Sequence, residues 1–492
     1  MSLRGMYADI ADNTVGVMHM TTSFTSTRDL RYPAPDVARG LMLLLIAMAN
    51  VPVWVAKNLP TVTGAHFHPS MADSAWLFIR MLFVDHRVYP LFAMLFGFGL
   101  MTMINRRIAG RTQTFLASLP GIESGREPTP QEEAWARERA TVDARRLVRC
   151  RGWWMILFGF VHGIVFPGDI IGTYGLVAVL LAGWLARKQF RRLVVTGTIA
   201  TLTEIALLLM IGFLSQGESA TGAGEATTSE QALLPWFITN PGSWAVQTLM
   251  GAVGLILLAV VIGARLADTD LIVHPERHRS LLVMVAVGGL LLGALGALPM
   301  TLAQMGMMPM PLWSTAAQNV FGLAGGCGWL ALLVLYAGGP RPDGRLTGLR
   351  WLASAVGRRS MTVYLSQTML FGTIFVILPA LIGQRLWLGP IAAAGVAVLA
   401  WLLAVGLCVI LERGGHAGPF ETLLRTAVAR SERKPPRPAP VPQSSPPEFL
   451  SESSAPPPLG GGALQVGFHL GSEIWRCVAS YYQRYASHQL FH

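Results

Sequence analysis

The chain has 492 residues, 52% of them apolar and 13% charged, which is about half the charge of an ordinary soluble protein. A formal charge of +11 would by itself suggest a nucleic-acid partner, but a chain this apolar cannot clothe a soluble surface; a lipid bilayer is the expected partner, and no nucleic acid. Cys150, Cys327, Cys408 and Cys477 lack paired or metal-ligand spacing, which excludes a disulfide scaffold and leaves no metal site to assign.

The expected class is all-α: a polytopic membrane bundle of about ten transmembrane helices with both termini cytoplasmic. Residues 1–35 form a cytoplasmic amino-terminal segment, because Asp9, Asp12 and Asp29 and the lack of an apolar core do not fit a cleavable signal peptide. The helical domain spans 36–430. Ten apolar stretches approach the roughly 20 residues needed to cross the hydrocarbon: 37–56, 88–105, 152–167, 170–186, 193–214, 243–264, 280–303, 313–337, 360–382 and 389–411. They are continuous runs rather than alternating strands, which argues against a barrel. An amphipathic or interfacial helix, 71–86, leads into the second. Residues 106–150 read as a charged cytoplasmic insert whose helical stretch QEEAWARERATVDARRLVRCR runs into the third span. Residues 215–235, Gly/Ser/Thr/Glu-rich and without a basic residue, read as a flexible outer loop. The Pro/Gly/Ser-rich tail, 431–492, is expected to be cytoplasmic and largely disordered.

Basic residues set the orientation. Of the 38, twenty-six fall in segments assigned inside, four (Lys57, Arg80, Arg87 and Arg385) in segments assigned outside, and eight after residue 411, where an even span count is also inside. Only three are Lys, a composition typical of GC-rich bacterial genomes, and the expected location is a bacterial plasma (inner) membrane.

Polar groups inside hydrocarbon are costly unless they face a partner or a water-filled cavity, so they mark candidate sites. Asn50 lies eleven residues beyond Arg39, and His162 eleven beyond Arg151, each about 16 Å along its helix. Asp169 follows His162 by seven residues in the turn PGD. An Asn, a His and a carboxylate could thus share one outward-opening cavity, with His162 taking a proton and Asp169 fixing its tautomer. Asp169 is equally suited to cap the following helix. His66 and His68 form an H-x-H pair in the first outer loop, with Asp73 the only nearby carboxylate. Glu204 falls mid-span, where a proton-coupled carrier would place a carboxyl. Thr362, Tyr364, Ser366 and Gln367 follow Arg358 and Arg359 on the ninth span, an arrangement suited to a phosphate-bearing ligand or to ordinary positive-inside anchoring. Gly97 and Gly99 read as close helix packing.

Five blocks, DVARGLMLLLIAMAN (36–50), LFAMLFGFGL (91–100), GFVHGIVFPGDIIGTYG (159–175), GRRSMTVYLSQT (357–368) and HAGPFETLLR (416–425), together resemble the YeiB-like family of bacterial membrane proteins. That family's characteristic residues fall here on Asp36, Arg39, Gly40, Asn50, His162, Gly168, Asp169, Tyr174, Gly357, Arg358, Tyr364, Gln367, Gly418, Pro419 and Arg425. The first span and the segment after it are also similar to the transmembrane acyltransferases that include heparan-α-glucosaminide N-acetyltransferase, through Arg39, Gly40, Asn50, His66 or His68, Asp73, Pro90, Phe92 and Gly97.

That second resemblance implies an acyl-CoA thioester as cytoplasmic co-substrate, no permanently bound cofactor, and a His acting on an extracytoplasmic hydroxyl or amine acceptor, a small molecule or an envelope glycan. The His is open among His66, His68 and His162. The expected function is acyl transfer with His162 as general base, Asp169 beside it, Asn50 or Tyr364 at the oxyanion, and Arg39, Arg358, Arg359 and Gln367 at the donor. The alternative is proton-coupled transport through Glu204, Asp169 and His162.

Overall fold

A computed structural model describes residues 33–56, 70–122, 125–221, 236–339, 346–383, 386 and 388–432; among them the regular structure is helical throughout, with no strand. In chain order the helices are α1 (Pro33–Ala56), α2 (Met71–Phe83), α3 (Val88–Ala117), α4 (Pro130–Val165), α5 (Ile171–Ala186), α6 (Phe190–Thr221), α7 (Trp236–Ala252) and α8 (Leu255–Leu266). There follow α9 (Arg279–Gln304), α10 (Ser314–Ala337), α11 (Gly348–Gly357), α12 (Ser360–Gly372), a π turn (Thr373–Ile377), α13 (Leu378–Ile382), α14 (Pro390–Arg413) and α15 (Pro419–Ser431).

Among the described residues, seven helical stretches are long and apolar enough to cross a membrane, and α7 with α8, bent by 51° at their junction, make an eighth if they are one span. The ten apolar stretches read from the sequence all fall on helix. The third and fourth, however, are the second half of the long α4 and the short α5, which do not reach full spanning length on apolar composition. Of the outer loop expected over 215–235, residues 215–221 are instead helical, continuing α6 to Thr221, and 222–235 lie outside the described residues. Large apolar side chains stand on the outside: Ile199 on α6, Met284 and Leu295 on α9, and Ile410 on α14 are all more than half exposed. Such a surface suits hydrocarbon and not water.

Helices pack here by letting backbones touch. A Cβ on Gly263 of α8 would lie 1.8 Å from the Met94 carbonyl oxygen of α3, and one on Gly97 of α3 would lie 2.0 Å from that of Val260. The α1–α11 crossing is equally close, with Gly40 against Ala353 and Gly357 against Asp36. Gly99 leaves room for the Arg39 guanidinium, whose Nη2 donates to the Leu95 carbonyl at 2.8 Å. Between α2 and α3 the chain breaks helix at 84–87, where the buried Arg87 donates to the carbonyls of Met81, Asp85 and, on α9, Gly293.

The insert is a helical hairpin built from the extension of α3 and the first half of α4. Phe115, Leu116, Leu119, Ala136 and Ala140 form its own small core, and Arg107 and Arg111 both reach Asp143, at 2.6 and 3.2 Å. Thr129 starts α4 with a reciprocal capping box, its Oγ1 accepting from the Glu132 amide at 3.3 Å while Glu132 accepts from the Thr129 amide at 2.8 Å. Hydrogen bonds from Arg126 and the Thr129 backbone draw the Glu132 carboxyl down to about 2, so the box stays charged in mild acid. Thr129→Ala should destabilise this end of the hairpin by about 1 kcal/mol, read as faster amide exchange at residues 131–134 with the membrane helices unaffected. The end of α15 docks on α4, with Trp154 Nε1 donating to Ser431 Oγ at 3.0 Å.

Candidate functional site

Helices α4 and α5 form an antiparallel pair whose glycines permit close contact: a Cβ on Gly159 would sit 2.3 Å from the Gly172 nitrogen and 2.6 Å from Asp169 Oδ2. At the turn between the two, α4 stops at Val165, and the chain through Pro167 and Gly168 swings Asp169 back towards the helix it left. The Asp169 side chain then does two jobs. Its Oδ2 accepts from the Gly172 amide at 2.8 Å, capping α5, while its Oδ1 meets His162 Nδ1 at 2.7 Å. Capping and histidine pairing, both of which the sequence allowed for Asp169, coexist because the carboxylate has two oxygens.

The tautomer follows from the partners. An ionised Asp169 is an acceptor only, and its Oδ2 also receives Trp244 Nε1–H from α7 at 3.3 Å. When Asp169 is ionised and His162 neutral, Nδ1 carries the proton and Nε2 presents its lone pair to Thr368 Oγ1 of α12, 3.0 Å away. His162, Asp169 and Thr368 are all buried. Gly163 and Gly172 give the Trp244 ring its place, since a Cβ on either would lie within 2.6 Å of that ring. Tyr364, one helical turn before Thr368, sets its ring edge-on to His162 with centroids 5.2 Å apart. The Tyr364 hydroxyl is buried and faces the Ile170 amide without a hydrogen bond of ordinary geometry.

The other sequence-derived candidates are placed as follows. Asn50 is half-buried on α1, one turn before Trp54, whose ring stacks on Phe166 at 5.6 Å; no hydrogen bond joins Asn50 to His162 or Asp169. Gln367 is buried and ties α12 to α1 by donating to the Leu43 carbonyl at 3.2 Å. Arg39 lies 3.8 Å from Asp36. Arg358 and Arg359 both hold Glu412 at the end of α14, and Arg359 also holds the Ala355 and His416 carbonyls. Those two guanidiniums fasten helices together. Glu204 Oε2 accepts from the Leu255 amide at 2.5 Å, satisfying the first turn of α8 where the bent pair breaks. Asp73 caps α2 with Ser70 and also accepts from the Ile391 amide at 3.0 Å, which commits it to two helix starts. His66 and His68 lie outside the described residues, as does the tail beyond residue 432.

Sequence reasoning missed Thr368 and Trp244. Thr368 carries a partial signal, standing four residues after Tyr364 on the same helical face. Trp244 carries none.

Residues 266–431 match a family described as "Protein of unknown function (DUF418)". The chain is 24% identical over 428 residues to the Escherichia coli (strain K12) protein named "Uncharacterized protein YeiB", covering 80% of this chain and 96% of that one. No solved structure matches the chain. Thr368 and Tyr364 lie inside the matched family region, and His162 and Asp169 lie before it. The resemblance read from the five sequence blocks agrees with these comparisons: the chain is similar to YeiB over 80% of its length, and its residues 266–431 match the DUF418 family.

Proposed function

We propose that the protein is a membrane acyltransferase of the bacterial inner membrane, moving an acyl group from a cytoplasmic acyl-CoA-type donor to an extracytoplasmic hydroxyl or amine. The observation that carries this reading is the buried Asp169–His162 pair, which leaves Nε2 as an oriented base at the outer end of α4. The transmembrane acyltransferase resemblance of the first span supports the reaction class. In the accompanying topology, ten spans keep both termini and the insert inside, with α4–α5 and α7–α8 completing the count. Arg39 then stands at the inner end of α1, where a donor's phosphates would arrive. Tyr364, whose ring stands edge-on to His162 and whose buried hydroxyl makes no hydrogen bond of ordinary geometry, would be the donor to a developing oxyanion. The test is equilibrium binding of acetyl-CoA to the purified protein, followed by thiol release in the presence of amine and polyol acceptors. Absence of binding at millimolar acetyl-CoA would refute the reading.

One observation favours a second reading, proton-coupled transport. Glu204 meets the amide end of a half-helix inside a bent span, and transporters place such broken helices, with their amide ends towards anionic groups, at their binding sites. Glu204→Gln retains an acceptor for the Leu255 amide, so the fold should hold with a melting temperature within a few degrees of the wild type. Under acyl transfer this variant should keep its turnover; proton-dependent substrate flux into proteoliposomes that disappears in Glu204→Gln would favour transport instead.

A further inference from the structure

We infer that Thr368 is a covalent nucleophile, so that the acyl group rests on its Oγ1 between donor and acceptor. The inference rests on the acyl-transfer reading and adds a step to it.

Its basis is where the Thr368 hydroxyl points. A threonine inside a helix ordinarily donates to the carbonyl four residues back. Thr102, Thr141, Thr201, Thr203, Thr301 and Thr373 all do so here. Thr368 instead meets His162 Nε2, across 206 residues of sequence, at 3.0 Å. In the neutral ring with its proton on Nδ1 towards Asp169, the Thr368 hydroxyl is the donor and Nε2 the acceptor. A carboxylate, an imidazole and a hydroxyl are thereby joined in series at 2.7 and 3.0 Å, the relation by which a base activates a hydroxyl nucleophile. Trp244 and the Gly172 amide hold the far carboxylate oxygen, so the acid end of the series is fixed from two helices. Tyr364 stands one turn away on the nucleophile's own helix, its hydroxyl buried without a hydrogen-bond partner. Burial of all three members excludes the water that would hydrolyse an ester.

The steps balance as follows. Thr368 Oγ1 attacks the thioester carbonyl carbon while its proton passes to His162 Nε2. The C–S bond then breaks, and the proton on Nε2 goes to the leaving sulfur, giving free CoA thiol and a threonyl ester. The acceptor hydroxyl or amine next attacks that ester, losing its proton to Nε2. The C–Oγ1 bond breaks and the same proton returns to Thr368.

The experiment uses the full-length protein with two probes. With radiolabelled acetyl-CoA and no acceptor, the wild type should retain up to one alkali-labile acetyl group per chain, located by peptide mass spectrometry on Thr368, with a matching burst of thiol. Thr368→Val, nearly the same shape, should lose the label and at least about 100-fold of transfer rate while still binding donor. Thr368→Ser should restore both. p-Nitrophenyl acetate, which needs no CoA site, should acetylate Thr368 in the wild type and not in Thr368→Val or His162→Ala. If this ester labels Thr368 and acetyl-CoA does not, the nucleophile stands and the donor assignment falls. If neither labels Thr368, or if Thr368→Val transfers acyl groups at the wild-type rate, the inference is overturned.

Discussion

Acyl transfer by His162→Ala should fall by about 10³-fold or more, with acetyl-CoA affinity unchanged. The substitution removes the only group in the site whose lone pair is held ready, and leaves Asp169 capping α5 through the Gly172 amide and Trp244. The local fold therefore has a reason to survive. Asp169→Asn should cost a comparable factor by a different route. An asparagine oxygen can still accept from Gly172, but the amide NH2 then faces His162 Nδ1 and favours the tautomer with its proton on Nε2. That nitrogen can no longer accept from Thr368. The pair of variants separates chemistry from architecture. Both should bind donor and melt near the wild-type temperature, and both should lose turnover.

Gly263→Ala is expected to be among the most damaging of small substitutions to stability, alongside Gly357→Ala at the equally close α1–α11 crossing. The methyl added at Gly263 would be 1.8 Å from the Met94 carbonyl oxygen, and the neighbouring contact, Gly97 on Val260, is nearly as tight at 2.0 Å. Neither obstacle is a flexible side-chain end; both are helix backbone, so α3 and α8 must separate along their length. Overpacking of this kind costs about 3 kcal/mol, and the loss of buried backbone contact adds to it. Unfolding in mixed micelles should show the shift, and the protein should reach the membrane in reduced amount. Gly288→Ala is the control, because nothing lies within 4 Å of a Cβ there and the helix should gain slightly from alanine. The α3–α8 contact matters to the site as well, since α3 carries Phe92 and Phe96, whose rings flank Tyr174 on α5 at 5.2 and 5.0 Å.

The helical architecture was legible because lipid allows few solutions: a continuous apolar run with charges at its ends has to be a helix. The boundaries of the second and third spans, 88–105 and 152–167, were the hardest to read; the third, on α4, and the short apolar α5 pack on each other through Gly152, Gly159, Gly172 and Gly175. The His162–Asp169 pair was legible because it is local, seven residues joined by a Pro-Gly turn. Thr368 was not, since its partner lies 206 residues away and no periodicity encodes that contact. Arg358 and Arg359 looked like ligand-binding cations for the same reason. Their carboxylate, Glu412, is more than fifty residues further on, and only the folded chain brings it to them.

The central claim is that His162 serves acyl transfer, and thiol release from acetyl-CoA by the purified full-length protein in liposomes tests it most directly. Wild type, with a pool of hydroxyl and amine acceptors, should release free thiol catalytically; His162→Ala should bind acetyl-CoA equally well and release thiol at least about 10³-fold more slowly. Equal thiol release by the two proteins, or none by the wild type at saturating acetyl-CoA, would contradict it.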